Sequence, residues 1–202
     1  MVLFGAHRRK PAIEDGDGLA TFMDAEADAF AAAVVDDYAR ARARVDADRL
    51  FAQPRFAAVL ATARAEAFPF ALTLVAETVE STLAPQTGDR GARIRALVAL
   101  AQAVFAQRAV PHTVSAPAWS AAGDEVVRWL AESARRPPRT TDAIAERLAS
   151  SMLALMPVHD DLAPDDYLLF RTSMREALAA VRERFIANTN ALSLADALTH
   201  WL

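Results

Sequence analysis

The densest cluster of chemistry-bearing side chains is His159-Asp160-Asp161 followed by Asp165-Asp166. One imidazole and four carboxylates within eight residues can offer nitrogen and oxygen ligands to a divalent cation such as Mg²⁺, Mn²⁺ or Ca²⁺. His159, Asp160, Asp161 and Asp165 are therefore the candidate metal ligands. The same stretch also reads as a plain helix start. Pro164 suits the first helical position, and Asp165 and Asp166 just inside it favour the positive end of the helix dipole. A second acidic run, Asp15 to Glu26, puts carboxylates at positions 1, 3 and 12 of a would-be calcium loop. It has Leu19 at position 5 and Ala20 where the sharp turn needs glycine, so the match fails on the backbone. Asp24, Glu26, Asp28, Asp36 and Asp37 invite a di-metal reading, but no Glu is followed three residues later by His. These acids are expected on solvated helix faces.

The adjacent His159–Asp160 pair resembles the paired ligands of helical, metal-dependent phosphohydrolases of the HD type. Such a site needs further His and Asp ligands from other helices. Here the candidates are His112 and Asp196, and no spacing selects them. With no cysteine in the chain, disulfides, thiolate nucleophiles and Cys-ligated zinc are excluded together. No Gly-x-Ser-x-Gly elbow, phosphate loop or dinucleotide fingerprint occurs. Thr140 to Ala149 resembles the first helix of a helix-turn-helix, but an apolar run ending at Pro157 follows where a polar recognition helix belongs. TetR-type regulators carry their DNA-binding motif at the N-terminus, where this chain is acidic. A net charge of −4 supplies no general field for nucleic acid, and His7-Arg8-Arg9-Lys10 and Arg135-Arg136-Pro137-Pro138-Arg139 are small basic clusters. No nucleic-acid partner is expected, and no cofactor beyond the divalent metal.

The aromatic residues point to binding instead. Phe56, Phe68, Phe70, Phe105, Trp119, Trp129, Phe170 and Phe185 exceed what a small bundle needs as filler. Helical bundles hold apolar ligands between their helices. Phe105, Trp119, Trp129 and Phe170 are the candidate ligand or partner residues. Trp129 lies off its helix's inward stripe, where a partner or second subunit would cover it.

Positioning these residues is a task for helices. Roughly a quarter of the 202 residues are alanine, and Ala, Leu, Arg and Glu are the residues that favour helix most. The Val, Ile and Thr runs that strands need are scarce. The expected fold is all-α, a single-domain bundle of about seven to eight helices over residues 18–202, preceded by a flexible arm over residues 1–17. A first helix is predicted over about 19–46, with Met23, Ala27, Phe30, Val34, Tyr38, Ala41 and Val45 as its apolar stripe. Pro54 starts a second helix and Pro69 divides it from a third. Further helices carry Ile94 to Phe105 (broken at Pro111), Trp119 to Leu130, Ile144 to Leu155 (stopping at Pro157) and Tyr167 to Phe185. Ser193 and Asp196 suggest a capping box for a last helix, with Leu194, Leu198 and Trp201 inward. The Pro137-Pro138 turn is a rigid connection or a hinge over 135–139.

Arginine outnumbers lysine 21 to 1, which reads as the coding bias of a GC-rich, bacterial genome. No stretch of about 18 uninterrupted apolar residues predicts a membrane span, and the cysteine-free composition suits the cytoplasm. The function expected is a non-catalytic interaction or regulatory protein. It would act through an apolar helix face, as a homo-oligomer or with another protein partner. The alternatives are a binder of a small apolar ligand between helices, and a metal-dependent hydrolase centred on His159 and Asp160.

Overall fold

A computed structural model describes residues 13–157 and 164–201. It is all-α, as the composition requires. The helices are α1 (Gly16–Ala43), α2 (Ala47–Phe51), α3 (Pro54–Leu83), α4 (Arg90–Gln107), α5 (Ala116–Ser133), α6 (Thr141–Leu153), α7 (Pro164–Asn188) and α8 (Ala191–Thr199). Among the described residues no strand forms; an isolated parallel bridge joins Ile13 to Thr189. The long pair α1 and α3 makes the most extensive contact, and α4 to α8 close around it.

α1 begins earlier than its apolar stripe suggests. Asp15 accepts a hydrogen bond from the Gly18 amide at 2.8 Å and caps the helix. Ile13 is buried, and its amide donates to Asn188 O at 3.1 Å. Residues 13–17, assigned from sequence to the arm, thus belong to the bundle. Removing the cap with Asp15→Ala is expected to cost about 1 kcal/mol. Urea unfolding of the variant beside Asp15→Asn, which keeps the acceptor, measures it; equal losses for both would assign the effect elsewhere.

α1 also ends earlier, at Ala43. Arg44 takes φ +51°, a left-handed conformation unusual for a residue with a Cβ, and a 3-10 turn over Arg44–Asp46 follows. Val45, predicted to continue the stripe, is thereby thrown into solvent at 98% exposure.

Pro69 does not divide two helices. It lies inside the thirty-residue α3, itself buried. A proline there removes one ladder hydrogen bond, and the Thr73 hydroxyl donates to Pro69 O at 3.0 Å in the turn that follows. Packing on α1, α5, α7 and α6 holds both halves in line. Among the described residues α3 is the helix long and apolar enough to cross a membrane, yet more than half of its most apolar window is buried by its neighbours. In this bundle it is the central core helix.

Smaller corrections follow the caps. α4 stops at Gln107, ahead of Pro111, because Arg108 turns to extended backbone. α6 ends at Leu153, short of Pro157. The cap of α8 is Asn190, accepting from the Ser193 amide at 3.2 Å, so Ser193 lies within the helix and makes no capping box. Trp201 lies beyond α8, against the start of α1. A Cβ at Gly16 would sit 2.4 Å from its Nε1, so only glycine admits the indole there.

Candidate functional site

The carboxylates of α1 are clasped by arginines from other helices. Arg64 on α3 grips Asp36 with contacts of 2.6 and 2.7 Å. Arg184 on α7 holds Glu26 at 2.6 and 2.8 Å. Arg108, just past α4, reaches Asp24 at 2.8 Å and Asp28 at 2.7 Å. Sequence reasoning leaves these acids to solvent because their partners lie 28 to 158 residues away.

Arg108 is the pivot of the surface that follows. Its guanidinium also lies 3.9 Å above the Phe68 ring, a cation–π contact. Burial acts to lower its pKa, and the bonds to Asp24 and Asp28 outweigh burial and raise it. The cation is thus fixed in charge and place. Behind it Phe105 and Trp119 stack at 4.5 Å, tilted by 23°, and Phe68 stands 6.4 and 6.5 Å from them. Two of the four candidate aromatics, Phe105 and Trp119, are therefore neighbours.

They form the floor of an open groove of about 340 Å³ between α4 and α5. Ala106 and Val110 wall one side; Ala116, Ser120, Gly123 and Val127 wall the other. Gly123 makes the close approach possible, since a Cβ there would stand 2.8 Å from the Phe105 ring. Sequence reasoning passed over Gly123 and Arg108. A lone glycine inside an otherwise helical pattern was the available signal, because it costs about 1 kcal/mol against alanine without a packing reason.

A second depression, of about 430 Å³, adjoins the groove through Arg108 and runs along the start of α1, lined by Asp17, Thr21 and Asp24. Asp24 and Asp28 share the Arg108 guanidinium, and Asp17 lines the same depression as Asp24. The surface passes from apolar to acidic over a short distance.

The remaining candidates lie apart. Phe170 is buried edge-on against Tyr38 at 5.6 Å and 87°. Trp129 is half-buried, 5.4 Å from Phe70, with Arg147 over its ring at 5.9 Å. His159, Asp160 and Asp161 lie outside the described residues, as does the side chain of Asp165. Asp166 is buried and pairs with Arg42 at 3.2 Å. Among the described residues no three His, Asp or Glu side chains converge as metal ligands.

Beside the Asp166–Arg42 pair, the buried Tyr38 hydroxyl has no hydrogen-bond partner among the described residues. Burial first, then the Asp166 charge, raises its pKa above 10, with Arg42 opposing. The folded chain therefore holds this proton while the unfolded chain releases it. The stability concerned is complete below pH 10 and is lost as pH rises through the folded value. Tyr38→Phe is expected to remove that alkaline loss. At pH 7 it should match the parent or exceed it by about 1 kcal/mol, because an unmet buried hydroxyl disappears. Denaturant midpoints across pH 7 to 11 test this; a variant clearly weaker at pH 7 would mean that the hydroxyl has a partner.

A buried polar cluster on the other side of α3 is structural in character. Glu77 accepts from Ser133 Oγ at 2.8 Å and pairs with Arg147 and, at 3.5 Å, with Arg139. Arg90 binds Glu80 at 2.7 Å and donates to the carbonyls of Arg136 and Ser133. The 135–139 turn is thus tied to α3 and α4, around a cavity of only about 10 Å³, room for one water at most.

Large apolar side chains in solvent are scattered. Leu168 and Leu169 lie near one end of α7 and Ile186 near the other, about 26 Å away at 1.5 Å per residue. The α4–α5 groove, joined to its acidic neighbour, combines an aromatic floor with an acidic rim. No family model matches this sequence, and neither a curated protein nor a solved structure matches it.

Proposed function

We propose that this protein is a non-catalytic interaction module whose α4–α5 groove receives the apolar side chains of an extended or helical segment of a protein partner. The observation that carries this reading is the stacked Phe105–Trp119 floor of the open α4–α5 groove, where Gly123 lets the Phe105 ring lie close against α5. Aromatic floors with small-residue walls suit helix-in-groove recognition, where a few anchors supply most of the binding energy. The adjoining Asp17 and Asp24 favour a partner with basic residues beside its apolar ones. Self-association is one form such a partnership takes. A groove of this volume also falls at the lower end for small-molecule sites, and its open walls favour a longer ligand.

The test uses Trp119 as the only indole, in a Trp129→Phe/Trp201→Phe background. Titration with a synthetic amphipathic peptide bearing Leu and Phe at i, i+3, i+4 and i+7 and Arg or Lys on one flank is expected to change Trp119 emission saturably. Gly123→Leu, whose Cβ would stand 2.8 Å from the Phe105 ring and displace it from the floor, is expected to abolish the change. A response that survives Gly123→Leu, or no response at millimolar peptide, would overturn the assignment.

A further inference from the structure

We infer that the partner received by this groove is a second copy of the chain, which inserts the tip of its α1–α3 hairpin, residues 44–59. The inference rests on the groove reading above and names the occupant. Its first support is composition. A segment suited to the groove carries exposed apolar side chains beside unmatched positive charge, and the tip carries both. Val45 stands in solvent directly after Arg44, and Val59 is exposed one turn beyond Arg55 on the same face of α3. Between them in sequence, Phe51 and Phe56 meet edge-on at 5.4 Å and remain half-buried. The backbone at Arg44, with φ +51°, is what turns Val45 outward. Residues held in such sparsely populated conformations cluster at functional positions.

Charge supports the same pairing. Among the described residues Arg44 and Arg55 have no ion pair, whereas Arg40 and Arg49 are held by Asp48 and Asp46 at 3.6 and 3.1 Å. At the groove the unmatched groups are acids. Asp124 on its wall and Asp17 in the adjoining depression pair with no cation among the described residues, while Arg108 is already shared by Asp24 and Asp28. Two free guanidiniums beside apolar side chains thus complement two free carboxylates beside an aromatic floor.

The contact has to be made in trans. Asp28, bonded to the Arg108 that lines the groove, lies about 22 Å along the rigid α1 from its end at Ala43, so no tip reaches its own groove. Each copy offers both a tip and a groove, and repetition of the contact gives a closed ring or a filament.

Sedimentation equilibrium of the full chain tests this with charge reversals at exposed positions, which leave the core intact. Arg44→Glu/Arg55→Glu alters the tip, and Asp17→Arg/Asp124→Arg alters the groove. Each variant alone is expected to self-associate about tenfold more weakly than the parent. Mixed together, the two are expected to associate again, because each then meets a tip or groove of opposite charge. Variants that associate like the parent, or a mixture that stays apart, overturn the inference.

The amphipathic peptide that probes the groove distinguishes the two readings. Displacement of the self-complex by that peptide supports the second copy. A self-complex that the peptide leaves intact, or a parent chain that binds peptide yet stays monomeric at millimolar concentration, refutes the second copy and leaves the groove standing. No Trp119 response in the Arg44→Glu/Arg55→Glu chain, whose groove is free, refutes both. A monomeric chain whose tip binds phosphatidylserine vesicles, and loses them in that variant, would assign the tip to a membrane surface and likewise overturn the inference.

Discussion

Glu77→Gln is expected to lower stability by about 3 kcal/mol, or roughly 10 °C in Tm for a domain of this size. The carboxylate is 4% exposed and takes Arg147, Arg139 and the Ser133 hydroxyl at once. Glutamine preserves the shape and one acceptor but deletes the charge, leaving two guanidiniums without their counterion. Removing one partner of a buried pair costs about 3–5 kcal/mol. The lower end applies because the side chains of Arg139 and Arg147 retain 21% and 17% exposure. The loss is also expected to be local first. Amide exchange at Arg135 and Arg136, whose amides bond Glu132 O and Ser133 O, should rise before exchange in α1. Paired denaturant unfolding and hydrogen exchange test this, and a loss below about 1 kcal/mol would show the cluster to be solvated rather than buried.

The Glu77 cluster also marks where the sequence stopped being legible. Periodicity identified most inward stripes, because helix burial repeats every three or four residues whatever the partner. Met23, Phe30 and Val34 on α1, Val126 and Leu130 on α5, Ile144, Leu148 and Met152 on α6, and Met174, Leu178 and Phe185 on α7 are all buried. Local rules failed where tertiary packing overrode them. Pro69 is a helix breaker by itself, but within α3 the neighbouring helices hold the chain straight. Arg44 ends α1 through a backbone conformation that no propensity scale assigns to arginine. The diproline turn reads from sequence as a rigid connection or a hinge, and its ties to Arg90 and Glu77 are invisible there because those residues lie some 50 to 60 residues upstream.

The groove was half legible. Phe105 and Trp119 stood out as aromatic residues beyond the needs of filler, yet the reason they matter is their stacking across two helices. That contact depends on Gly123, one turn beyond Trp119 on the same face of α5, and beside it Arg108, whose partners Asp24 and Asp28 come from α1, covers the Phe68 ring. Neither follows from spacing along one helix. Trp129, the tryptophan that its helix position made most interesting, is instead half covered by Phe70 and Arg147.

Trp119→Ala is expected to cost about 3 kcal/mol and to remove the groove floor together with its binding. Truncating a buried aromatic costs about 3–5 kcal/mol. The lower end is expected because the space left opens into the groove instead of forming a closed void. Two effects combine in that figure. One is the apolar area that the indole covers; the other is its stacking on Phe105 at 4.5 Å, worth about 0.5–1.5 kcal/mol beyond area. A double-mutant cycle with Phe105→Leu isolates the second, since the residues touch and their effects should not add. Trp119→Phe is expected to recover about half of the loss, because a smaller ring still stacks but reaches less of Phe68. If Trp119→Ala proves nearly neutral, the ring stack is no structural floor, and peptide binding at Trp119 would then have to come from an indole free to move.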